Sequence, residues 1–207
     1  MVRRFVFLLL LCLLSYSPLT AQGTRLLRQP TLSADHVAFT YGADLWVAPR
    51  DGGLARRITA TPAVESDPHF SPDGRWIAFT SNRSGIPSVY VVSVHGGEPT
   101  RLSWYPASSS ARGWTNDGGQ VLYASSRETA PSGYNRLWVV SAEGGPSSLL
   151  PAPWAYDGSY SPDGSRMAID RVSRWDWEWR SYRGGQNTPL VIMDLTTLEE
   201  ELLPNPD

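Results

Sequence analysis

The chain has 207 residues, 18 of them basic and 20 acidic, for a formal net charge of −2. That balance leaves no basic stripe for nucleic acid, and 41% hydrophobic residues with nine Trp and nine Tyr exclude a disordered chain. The length is enough to bury a core, and 18 glycines with 17 prolines favour many short elements and turns over long helices.

Residues 1–21 read as an export signal. Arg3 and Arg4 form a short basic start, and Phe5 to Leu14 is an unbroken apolar run, too short to span a bilayer as a helix. Ser15 to Thr20 is small and polar with Pro18, and Ala21 is a suitable cleavage residue, which makes Gln22 the expected mature N-terminus. The single cysteine, Cys12, lies inside this segment, so the mature chain has no disulfide framework. Leu11 precedes Cys12 where a lipoprotein signal wants a small residue. The expected mature chain, 22–207, therefore carries no membrane anchor, and with Arg3 and Arg4 removed it has 16 basic and 20 acidic residues. All the basic residues are arginine, and no functional reading attaches to that usage.

Four segments then repeat one pattern: Pro30 to Phe39, Pro68 to Phe79, Gly113 to Tyr123 and Ser159 to Ile169. Their aligned aspartates, Asp35, Asp73, Asp117 and Asp163, are spaced 38, 44 and 46 residues apart. The second copy shows the local physics. Pro72 presets φ for a turn, Asp73 hydrogen-bonds back to the turn backbone, and Gly74 accepts positive φ. Phe70-Ser71 ends a first strand, Trp76 to Phe79 makes a second, and Val89 to Ser93, rich in β-branched and aromatic residues, makes a third. Gly96-Gly97 supplies a hairpin turn, and Thr100 to Ser103 makes the fourth strand. The third strands and Gly-Gly turns recur at Leu45 to Gly53 and Leu137 to Gly145, while the unit from Leu190 lacks the Gly-Gly.

Four strands in each unit of about 40–45 residues is the pattern of a β-propeller blade, a small sheet that buries its faces against its neighbours. The fold expected is all-β: a propeller with four four-stranded blades, about 26–62, 63–106, 107–153 and 154–207, in one domain over 22–207. Leu203 to Asp207 resembles the linkers at Ile58 to Pro62 and Leu102 to Pro106, each of which leads into a new blade. A truncated six- or seven-bladed propeller is therefore expected in preference to a closed ring of four.

The Ser-Pro-Asp-Gly units resemble the periplasmic propeller repeat of the TolB type. Asp44-Leu-Trp-Val47, Asp51 to Thr59, Phe70 to Phe79 and Gly113 to Asp117 further resemble the opening of the tricorn protease family. So does Tyr182-Arg-Gly-Gly185 inside a long loop of the fourth unit. The resemblance covers about residues 26–207. It implies the front part of the first propeller of an exported, periplasmic or secreted, serine peptidase that degrades peptides. Such a peptidase carries a second propeller, a PDZ-like module and a catalytic core downstream, and forms homo-oligomers. A structural and substrate-gating role is then expected for this chain, with peptides and its own downstream domains as partners. The alternative is a TolB-like periplasmic binding scaffold without a linked peptidase.

No catalytic motif of that family has a counterpart here, and no catalytic residue, cofactor or metal site is assigned. No Gly-x-Ser-x-Gly is present. His36 and His95 are expected in turns, and His69 just before Phe70, on different blades rather than in one ligand set. Asp73, Asp117 and Asp163 are too regular to be anything but turn residues. Glu199 to Glu201 is expected to be a solvated turn and strand start. The candidate contact residues lie in the long connection between Ile169 and Leu190: Trp175, Trp177, Trp179, Tyr182 and Arg183. The three tryptophans alternate with Asp176 and Glu178, so an extended segment would have one aromatic and one acidic face. A docking or substrate-contact loop is expected there, with packing against a neighbouring blade as the plainer reading.

Overall fold

The computed structural model describes residues 26–131, 133–171 and 190–203. All regular elements among them are β-strands, arranged as four four-stranded antiparallel sheets in chain order. The first sheet holds β1 (Arg28–Leu32), β2 (His36–Tyr41), β3 (Asp44–Pro49) and β4 (Arg56–Arg57). The second holds β5 (Glu65–Phe70), β6 (Trp76–Ser81), β7 (Ser88–Ser93) and β8 (Thr100–Arg101). The third holds β9 (Ser109–Trp114), β10 (Gln120–Ser125), β11 (Arg136–Ser141) and β12 (Ser148–Leu149). The fourth holds β13 (Asp157–Tyr160), β14 (Arg166–Asp170), β15 (Val191–Asp194) and β16 (Glu200–Leu202). Each sheet is a simple meander, so each is one propeller blade. The fourth strands are the shortest; β4 and β16 are exposed throughout, Glu200 and Glu201 included, while Arg101 of β8 and Leu149 of β12 are half-buried.

The repeated turn works as its chemistry requires. In the second blade the Ser71 hydroxyl donates to Asp73 Oδ1 at 2.6 Å, the Arg75 amide donates to the same oxygen at 3.1 Å, and Gly74 has φ +70°. The third and fourth blades repeat it: Thr115 and the Gly119 amide donate to Asp117, and Ser161 and the Ser165 amide donate to Asp163. These donors favour the ionised form, so the Asp73 and Asp163 carboxyls are both pulled down to about 2, mainly by the serine hydroxyls, and Asp117 shifts the same way.

The blades pack face to face through three apolar layers. Ala38, Leu45 and Val47 meet Ile77, Phe79 and Val92 between the first and second blades. Ala78, Val89 and Val91 meet Val121, Tyr123 and Trp138 between the second and third. Leu122, Leu137 and Val139 meet Met167, Ile169 and Val191 between the third and fourth. Burial follows from this order. In the middle blades β6, β7, β10 and β11 are buried at nearly every position, because both faces are covered. In the first and fourth blades burial alternates with a period of two, because one face is covered. Val37, Phe39 and Trp46 are left only half-buried on the other face of the first blade.

The first strands of successive blades, β1, β5, β9 and β13, touch one another in turn, whereas the fourth strands contact mainly their own third strands. First strands therefore stand at the hub and fourth strands at the rim. Among the described residues, the strands of the fourth blade make no extended packing against those of the first. The four blades form an open arc.

Candidate functional site

The hub is where side chains of different blades converge. The strand register explains how. In β5 the pairing with β6 slips between Ser66 and His69, and Asp67 takes φ +50°. In β1 the pairing with β2 slips between Arg28 and Thr31, and Gln29 takes the same φ. In β9 the slip leaves Arg112 without a paired residue on β10. A bulge re-aims the extra side chain out of the sheet's alternation, and here it brings Gln29, Asp67 and Arg112 together.

The result is one polar chain across four blades. Gln29 Nε2 donates to Asp67 Oδ1 at 2.9 Å, and the Asp67 amide donates back to Gln29 Oε1 at 3.2 Å. Ser66 and Thr80 hydroxyls donate to Asp67 Oδ2 at 3.0 and 3.1 Å. Arg112 Nη1 stands 3.8 Å from the same oxygen. On its other side Arg112 Nε donates to the Tyr156 carbonyl at 2.7 Å and lies 4.0 Å from Asp157 Oδ1. His69, on β5, sits among these charges. Burial lowers its pKa, opposed by Asp67 and Asp157 and aided by Arg112, so the imidazole is held neutral. The Ser66 hydroxyl is spent on Asp67, so this Ser, Asp and His are not wired as a nucleophile and its base. Beside this chain, between the first two blades, a cavity of about 420 Å³ is lined by Gln29, Thr40, Glu65 and Ser66 among others. These bonds tie the first strands of the four blades together and hold the hub side chains in fixed positions.

At the opposite end of the sheets from the Ser-Pro-Asp-Gly turns, three arginines stack on aromatic rings. Arg83, Arg127 and Arg171 follow the second strands of successive blades at a constant spacing of 44. Arg83 lies 4.9 Å over Tyr90 and pairs at 2.7 Å with the fully buried Glu65. Arg127 stacks 4.1 Å over Trp138 and 4.7 Å over Tyr105, and Arg171 stacks 4.5 Å over Trp154. Burial raises the Glu65 pKa, and the Arg83 guanidinium opposes the shift.

The structure puts His36 on the first blade but His69 and His95 both on the second, so the expectation of three different blades fails: one repeat unit carries His69 on its first strand and His95 in the turn after its third. His36 opens β2 instead of lying in a turn, because the first blade's turn is two residues shorter and Ser33 caps it, accepting the His36 amide at 3.0 Å. His95 is in the β7–β8 turn, where its carbonyl accepts Arg56 at 2.7 Å. His69 lies within β5 itself, on the hub strand. Trp175, Trp177, Trp179, Tyr182 and Arg183 lie outside the described residues. Sequence reasoning did not find the hub chain or the arginine series. The constant spacing of 44 was a readable signal for the arginines, whereas the bulges that assemble the hub leave none.

The model of the tricorn protease N-terminal β-propeller domain matches residues 24–207. The chain belongs to that family. A tricorn protease homolog of Streptomyces coelicolor is 38% identical over 168 residues, covering 80% of this chain and 16% of the relative. The chain thus spans a small fraction of that relative's length. The TolB protein of the Tol-Pal system of Bordetella pertussis is 49% identical over 47 residues, 23% of this chain and 11% of the relative. Among solved structures, a TolB of Agrobacterium tumefaciens superposes with a TM-score of 0.68 at 17% identity, over 87% of this chain and 62% of that one. That likeness shows the propeller fold alone.

Proposed function

We propose that this chain is the N-terminal propeller portion of an exported, tricorn-like serine peptidase, in which it serves as a structural and substrate-gating module. The observation that carries the reading is the hub of a tricorn N-terminal propeller lined by Gln29, Asp67, Arg112 and Asp157. Such a wall hydrogen-bonds peptide backbone while offering little apolar surface to retain it. Peptides are the substrate class, and the catalytic residues belong to other parts of the protein. Export by the segment 1–21, with a mature N-terminus at Gln22, belongs to the same reading. Docking by the segment with Trp175, Trp177, Trp179, Tyr182 and Arg183 belongs to it too.

Purified 22–207 is expected to leave fluorogenic peptides uncleaved, whereas the full-length protein cleaves them. Turnover by 22–207 that a serine-directed inhibitor abolishes would overturn the reading. The second reading, a TolB-like scaffold without a peptidase, is favoured by the local identity to TolB. It predicts that no protein containing this chain cleaves peptides.

A further inference from the structure

A groove of about 590 Å³ runs between the second and third blades at the end that carries the Ser-Pro-Asp-Gly turns, far from the arginine series. Pro72, Trp76, Val91 and Ala142 give it an apolar floor. Trp76 is 44% exposed although it belongs to a strand whose other residues are buried. It is the first residue of β6, on the face turned to the third blade with Ala78 and Val91. The same register position holds His36 in β2, Gln120 in β10 and Arg166 in β14. An indole at this place is a feature of one cleft and not of the repeat.

Acidic residues outnumber basic ones around the indole. Asp73, Asp117 and Glu143 line the groove, and Arg75 is the one basic residue among its lining. Arg75 is committed to Asp73, Nε to Oδ2 at 2.6 Å. Asp117 is kept ionised by the Thr115 hydroxyl at 2.6 Å and the Gly119 amide at 2.9 Å. The groove therefore offers the face of an indole with two carboxylates left over after its internal pair. A guanidinium or ammonium group is the chemistry that fits an aromatic face and carboxylates together. The volume exceeds what one such side chain fills and leaves room for flanking backbone.

We propose that the groove between the second and third blades binds an extended peptide segment through an arginine or lysine side chain stacked on Trp76 and paired with Asp117 and Glu143. The assignment is independent of any peptidase and of the hub.

The test is calorimetric titration of the full-length protein with acetyl-Gly-Arg-Gly-Arg-Gly-amide and with the same peptide carrying citrulline for arginine. Binding of the arginine peptide is expected to weaken with added salt, and the citrulline peptide should bind at least about ten-fold more weakly. Trp76→Gln, which places there the residue that β10 carries at the same position, should lose about ten-fold in affinity while melting as the parent does. Glu143→Gln should lose less and flatten the salt dependence. Equal binding of the two peptides, unchanged affinity in a folded Trp76→Gln, or no binding of the arginine peptide would each overturn the proposal.

Discussion

Asp73 and Asp163 show how much a two-residue device can do. Each is solvent-facing, yet a serine hydroxyl and backbone amides hold the carboxylate at about 2. A lowered carboxyl contributes stability that is present above its unfolded value and lost as pH falls through its folded one. Titration of the side-chain carboxyl carbons by NMR should therefore place both below 3.8, and Ser71→Ala should bring Asp73 back towards that ordinary value. A midpoint for Asp73 unchanged by Ser71→Ala would refute the assignment. His69 works with the opposite charge type. Burial favours its neutral form, so the unfolded chain takes up the proton first as pH falls below about 6.5. Stability is then lost from that pH downwards until His69 itself protonates. His69→Gln is expected to flatten that part of the stability profile in denaturant melts between pH 7 and 5. An identical slope in both proteins would show that His69 is not the group responsible. Glu65 depends on its partner. Its side chain is fully buried, so Arg83→Gln leaves an uncompensated charge and should cost about 3 kcal/mol in chemical denaturation.

At the scale of the strand and turn, the repeat was open to direct reading because turn chemistry and strand composition recur together. The residue types of Pro72, Asp73 and Gly74 are enough to mark a turn, and those of Trp76 to Phe79 are enough to mark a strand. Gly74 carries a further constraint. Its φ is +70°, and a Cβ there would come 3.1 Å from Ser33 Cβ of the neighbouring blade. Gly74→Ala should thus destabilise by about 1–2 kcal/mol, measured as a shift in the denaturant midpoint. A neutral substitution would mean that the turn relaxes freely. The bulges were not legible. Gln29, Asp67 and Arg112 look like ordinary strand residues, and only a register slip makes them neighbours. The expectation of a turn at His36 failed for a related reason: the shortened first turn moves the strand start forward by an amount the pattern does not state.

Across the whole molecule, the sequence pattern predicts four blades because each blade is a closed local unit, and the arc follows from how the units stack. What the pattern does not contain is which side chains of separate blades meet at the centre, since that depends on the angle between sheets. Among the described residues, no sheet covers the half-buried face of Val37, Phe39 and Trp46 on the first blade. An apolar face of a few hundred Å² is an association site, so 22–207 on its own should self-associate. Size-exclusion chromatography with light scattering should show dimers or larger species, and a monodisperse monomer would contradict this.

The proposed gating role of the hub is tested most directly in the full-length protein, by comparing turnover of a long peptide and a tripeptide substrate before and after Arg112→Gln. This substitution removes the charged link between Asp67 and Asp157. The account predicts that long-peptide turnover changes by several-fold while tripeptide turnover stays the same. Equal change in both, or no change in either, would contradict a hub that governs passage of peptides.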